Sequence, residues 1–160
     1  MDLVYTGDVF IKTRNHNYHF KNAGTDGLFK LLVSMLAGSY VSPNALPAYI
    51  QLIPGQANVS ALGSTPVTNG CLFNPISITK HVDIRTTKST AKWTTVISGV
   101  LIPDNIQSDL TESEYHLVLM DGQKYPLAVI NLNKVSILDL KRGEETLIQW
   151  NLSFSNGAST

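Results

Sequence analysis

From Ile148 to Ser155 large apolar and small polar residues alternate without a break: Ile148, Trp150, Leu152 and Phe154, with Gln149, Asn151, Ser153 and Ser155 between them. In an extended chain successive side chains point to opposite faces, so this segment has one large apolar face and one uncharged polar face. A helix would scatter the four large side chains around its circumference. The segment is therefore a strand lying on a core, with its back towards water or a partner. A slip of one residue in its pairing would invert both faces. Trp150, between Ile148 and Leu152, reads as core.

Extended segments recur along the chain at roughly ten-residue spacing, bounded by turn residues. Residues 4–12 (VYTGDVFIK) form the first, with a turn or kink expected at Gly7–Asp8, and residues 16–21 a short second one. Residues 49–53, 71–79 and 81–87 follow, then the long run 92–102, in which Gly99 suggests a bulge or bend. Residues 115–120 and 125–132 flank Asp121-Gly122-Gln123-Lys124 as a hairpin, and residues 135–140 lead to a turn at 141–143. One helix interrupts the series. Thr25 caps it, Asp26 complements its positive end, and Gly38 closes it. Leu28, Leu31, Leu32, Met35 and Leu36 lie at helical spacing, and burial of that apolar stripe is expected to stabilise it.

Eight or nine strands with one early helix define the expected fold. It is mainly β: an antiparallel β-sandwich, jelly-roll-like, with one short inserted α-helix at about residues 25–37. Residues 1–160 form a single domain, in which 56–70 is a long exposed polar loop and 156–160 a flexible tail. The length is that of one domain, and 43% hydrophobic residues suffice for a core without disulfides. Cys71 is the sole cysteine and reads as a small buried hydrophobe.

Charge limits the function classes. Charged residues are 15% of the chain, against roughly 25% in an average soluble protein, and twelve basic side chains balance twelve acidic ones. A neutral surface has little counterion-release energy to offer nucleic acid, so no nucleic-acid partner is expected. The apolar runs are too short to span a bilayer and there is no secretion signal, so no membrane partner is expected and synthesis is assigned to a cytoplasm. Ser, Thr, Asn and Gln take the place of ions, which suits lasting contacts with other protein, including symmetric copies of the chain itself.

No catalytic signature emerges. His16 and His19 lie in the string NHNYH, which contains no carboxylate, His81 and His116 stand in ordinary contexts, and there is no Gly-x-Ser-x-Gly elbow, phosphate loop or dinucleotide fingerprint. Asp104, Asp109, Glu112 and Glu114 crowd what reads as a solvated connection. The chain is accordingly expected to be no enzyme, with no catalytic residue, cofactor or metal. The expected contact residues are Trp93 and Tyr115, which an exposed aromatic platform for a glycan would use, and Gln149, Asn151 and Ser153 on the polar back of the last strand.

Two stretches resemble small structural proteins of tailed bacteriophages. The first, residues 16–49, contains N-H-N-x-H-F-x-N-x-G-T, then L-F-K-L-L-V-S-M-L-A-G, then P-A-Y-I. The second is Y-P-L-A-V-I-N-L at 125–132 followed by E-T-L-I-Q-W-N-L-S-F-S-N at 145–156. The resemblance, to decoration, head-fibre, collar or tail-associated subunits, covers about half the chain. It implies a non-enzymatic virion protein made in the bacterial host cytoplasm, which self-associates as a symmetric homo-oligomer and attaches to other phage virion proteins of capsid, neck or tail. The alternative is a carbohydrate- or receptor-binding β-sandwich module with a glycan receptor as partner.

Overall fold

The computed structural model describes residues 3–54, 76–86, 91–101, 114–133 and 145–156. The expectations for the loop 56–70, Cys71, the acidic group Asp104, Asp109 and Glu112, the strand at 135–140, the turn at 141–143 and the tail from 157 lie outside the described residues.

Ten strands are described: β1 (Leu3–Lys12), β2 (Asn17–Lys21), β3 (Ala23–Gly24), β4 (Pro47–Pro54), β5 (Ile76–Ser77), β6 (Thr79–Thr86), β7 (Ala91–Leu101), β8 (Glu114–Asp121), β9 (Pro126–Asn133) and β10 (Thr146–Asn156). One helix, α1 (Asp26–Leu36), follows β3, and a 3-10 turn, Pro43–Ala45, precedes β4. The strands form two five-stranded antiparallel sheets, ordered β2-β1-β10-β7-β6 and β3-β9-β8-β4-β5. The expected antiparallel β-sandwich with one helix is the fold observed; the strand order by itself does not establish a jelly-roll winding.

The core lies between the sheets. Val9 and Ile11 of β1, Ile97 and Leu101 of β7, and Ile148, Trp150 and Leu152 of β10 come from the first sheet. Ile50 and Leu52 of β4, Tyr115, Leu117 and Leu119 of β8, and Ala128, Ile130 and Leu132 of β9 meet them from the second. Each large side chain removed from water contributes roughly 1.5–3 kcal/mol. The alternation in β10 holds: Ile148, Trp150 and Leu152 are buried, while Gln149 and Asn151 on the other face are only half-buried.

The second sheet buries apolar side chains on both faces, although Gln51, His116 and Asn131 share its outer one. Ile53, Val118, Met120 and Val129, with Tyr49 packed against them, make a separate buried cluster on its side away from the main core. The near-continuous apolar runs of β8 and β9 reflect this two-sided burial, as strands covered on both faces do.

Three local expectations are corrected. Gly7 makes no turn: β1 pairs continuously with β10 from Leu3 opposite Asn156 to Lys12 opposite Leu147. A Cβ at Gly7 would fall 1.5 Å from Oδ1 of Asn22, so glycine is there to admit a side chain from the next strand connection. Gly99 makes no bulge: β7 stays in register with β10, Gly99 opposite Ile148. Its missing Cβ lets Ile50 and Ile76 of the facing sheet approach, since the added atom would sit 3.2–3.3 Å from them.

The third concerns α1. Thr25 caps it as expected, its Oγ1 accepting from the Leu28 amide (3.4 Å) and donating to the Pro126 carbonyl (2.7 Å), which ties the helix start to β9. Gly38 closes it with φ +71°. The apolar stripe, however, is buried only at its beginning: Leu28 is in the core, Leu31 and Leu32 are half-buried, Met35 is exposed and Leu36 is 85% exposed. The helix docks against β9 and β3 through its first turns, and its last turn loses that cover.

Candidate functional site

The outer face of the first sheet is built by period-two alternation in four strands. β1 contributes Asp8 and Phe10, β6 contributes His81 and Asp83, β7 contributes Lys92, Thr94 and Val96, and β10 contributes Gln149, Asn151 and Ser153. These side chains line one trough of about 350 Å³. The register explains the gathering: Asn151 lies opposite Asp8 on one side and Val96 on the other, and Ser153 lies opposite Thr94.

The floor is a hydroxyl pair, Thr94 Oγ1 and Ser153 Oγ at 2.8 Å, both residues buried. Beside it Gln149 Nε2 donates to Asn151 Oδ1 at 3.2 Å. At one side Asp8 Oδ1 accepts from Lys21 Nζ and meets His19 Nε2, each at 2.7 Å, with the Asp8 side chain largely shielded from water. Burial works to raise the Asp8 pKa, but the hydrogen bonds and charges of Lys21 and His19 outweigh it and hold the carboxyl below its usual range. His19 also stacks on Phe10, with ring centroids 4.6 Å apart and planes inclined by 7°. One face of Phe10 is thereby occupied from β2, and the ring lines the trough from the β1 side.

A larger concavity of about 630 Å³ lies between α1, the 3-10 turn and the β8–β9 connection. Its carboxylate, Asp121, is committed to the turn, Oδ1 accepting from the amides of Gln123 (2.8 Å) and Tyr125 (2.9 Å). Size alone therefore does not make it the better site. Among the described residues no group of three or more His, Cys, Asp or Glu side chains is arranged to hold a metal ion.

Gln149, Asn151 and Ser153, anticipated as contact residues, line the trough together. Trp93 is 54% exposed but belongs to the other face of the same sheet, in line with Ile97 of the core. Tyr115 is a correction. It is 1% exposed, because in β8 it shares the inward face with Leu117 and Leu119, and so it offers no surface platform. The trough residues that sequence reading missed are Asp8, Phe10, His81, Asp83, Lys92, Thr94 and Val96. The first two were legible as polar-face positions alternating with Val9 and Ile11, had Gly7–Asp8 not been read as a turn.

A second surface runs along the core-facing side of the first sheet where the core ends. Ile84 lies opposite Trp93, Trp93 opposite Phe154, and Phe154 opposite Tyr5. Tyr5 packs on Phe154 at 5.3 Å and edge-on against Phe29 of α1 at 5.7 Å. From Phe29 the exposed side continues along the helix through Val33 to Leu36, while Val82 extends it at the β6 end. An apolar band thus spans four strands and the helix. No protein-family model matches the chain, and no curated protein or solved structure shows significant similarity to it.

Proposed function

We propose that the chain is a non-catalytic structural subunit of a tailed-phage virion that self-associates and attaches to neighbouring capsid, neck or tail components. The observation that carries this reading is the apolar band from Val82 and Ile84 through Trp93 and Phe154 to Phe29, Val33 and Leu36. Ile84, Trp93, Phe29, Val33 and Leu36 are large apolar side chains left exposed to solvent. Contiguous apolar surface of this kind marks protein–protein contact. With zero formal net charge, little long-range repulsion opposes the approach of copies. The resemblance of residues 16–49 and 125–156 to phage structural proteins supplies the setting: synthesis in the bacterial host cytoplasm and a final place in the particle.

Light scattering on a sizing column tests the reading. The wild type is expected to elute as a defined multimer. Trp93→Lys and Leu36→Glu are each expected to lower its mass while leaving thermal stability nearly unchanged. A wild type that stays monomeric at about 10 µM, where an interface of ordinary size is occupied, overturns the assignment.

A further inference from the structure

We infer that the trough on the outer face of the first sheet is a binding site for a neutral saccharide of one or two rings. It lies on the opposite face of the sheet from the apolar band and stands or falls independently of the assembly role. Its chemistry selects the ligand class by elimination. An anion is disfavoured, because the trough is lined by two carboxylates, Asp8 and Asp83, against the one lysine, Lys92. A cation finds Asp8 already engaged by Lys21 and His19 at 2.7 Å. A purely apolar ligand would leave the remaining donor and acceptor capacity of the Gln149 and Asn151 amides unmatched, and Val96 and Phe10 alone among the lining residues offer apolar surface.

What remains is a solute rich in hydroxyls with one apolar face. Amide, carboxylate and hydroxyl groups supply both donors and acceptors, as adjacent sugar hydroxyls require. The Thr94–Ser153 pair satisfies itself with one bond and keeps further capacity at the floor. Phe10 provides the wall. Its stacking on His19 takes one ring face and braces the ring, leaving the other on the Gln149 side, where a sugar's C–H face can lie against the negative ring face. The volume of about 350 Å³ is at the small end of ligand pockets and accommodates a compact solute, not an extended chain. The carboxylate of Asp8 is pre-positioned by two bonds, so little freedom is lost when it accepts a hydroxyl.

Saturation-transfer NMR on the whole chain tests this with maltose, cellobiose, lactose and diacetylchitobiose at about 10 mM, a concentration suited to millimolar affinity, and a hexose phosphate as charged comparator. At least one neutral disaccharide is expected to receive saturation, and the titrated affinity to fall about tenfold in Phe10→Ala and again in Asn151→Ala, the loss of one stacking or hydrogen-bonding contact each. Gln149→Ala gives a third readout at a half-buried position. Thermal melts of all three variants separate loss of ligand contact from loss of fold. The inference is overturned if no neutral sugar is saturated. It is also overturned if binding survives unchanged in correctly folded variants, or if the phosphate competes better than every neutral sugar.

Discussion

Replacing Gly7 by alanine is a one-carbon change with a large expected effect. The new Cβ would lie 1.5 Å from Oδ1, 2.2 Å from Cγ and 2.6 Å from Nδ2 of Asn22, so the amide must leave its place. That amide donates from Nδ2 to the Tyr5 hydroxyl at 3.1 Å, while its Oδ1 is buried without a partner. Displacement therefore costs the bond to a partly buried phenol, about 1–3 kcal/mol, and repacking strain of about 1–3 kcal/mol. The entropy removed from the unfolded chain returns about 0.4–1 kcal/mol. The net loss is about 1–6 kcal/mol, or a melting temperature lower by about 2–20 °C for a domain of this size. The background Asn22→Ala removes the obstructing amide. In it, Gly7→Ala should be neutral or slightly stabilising, so a double-mutant cycle by urea denaturation should return a coupling of at least about 1.5 kcal/mol. Equal costs in the two backgrounds, within about 0.5 kcal/mol, would refute the claim that Asn22 is the reason for the glycine.

Two further expectations concern hydrogen-bonded anchors. Because folding lowers the Asp8 pKa, the stabilisation it provides is complete above the ordinary carboxylate value near 4 and disappears as pH falls through the lower folded value. Asp8→Asn should therefore reduce the urea midpoint at pH 7 by an amount equivalent to about 0.5–1 kcal/mol, given how exposed Lys21 and His19 are. The difference from wild type should shrink as pH falls below the ordinary carboxylate range and vanish once it has passed the lower folded value, and a gap that widened in acid would contradict the ion-pair account. Thr25→Ala removes both the helix cap and the 2.7 Å bond to the Pro126 carbonyl, at an expected cost of about 1–3 kcal/mol. Thr25→Ser, which keeps the hydroxyl, should recover most of it in the same denaturation assay.

The architecture was legible wherever one local rule decided the outcome. The alternation in β10, the Thr25 cap and Gly38 closure of α1, and the hairpin at residues 121–124 each depend on side-chain period or turn chemistry within a few residues. Failures came where a distant group set the requirement. Gly7 and Gly99 look like strand breakers, but they answer to Asn22 on the next connection and to Ile50 and Ile76 on the opposite sheet. Tyr115 heads an apolar strand, and nothing local tells which of its two faces meets the main core. Likewise the four leucines and one methionine of the α1 stripe carry no mark of where the supporting sheet stops, so Leu36, expected inside, lies outside. The candidate site was half visible. β10 announced Gln149, Asn151 and Ser153, whereas Asp8, Phe10, Lys92 and Thr94 join them only through strand pairings between distant parts of the chain.

The place of β10 has a bearing on how the molecule is made. It is the last of the described strands to leave the ribosome, yet it sits in the middle of its sheet, with β1 on one flank and β7 on the other. Until residues 146–156 emerge, the β2-β1 and β7-β6 hairpins have no strand to join them, and the indole that fills the centre of the interior is missing. Assembly of this half cannot proceed step by step along a growing chain, and it requires contacts that close very long loops, a topology associated with slow acquisition of structure. A nascent chain arrested before β10 would display two unpaired strand flanks and greasy surface together, which makes the emergence of β10 the event that separates folding from aggregation.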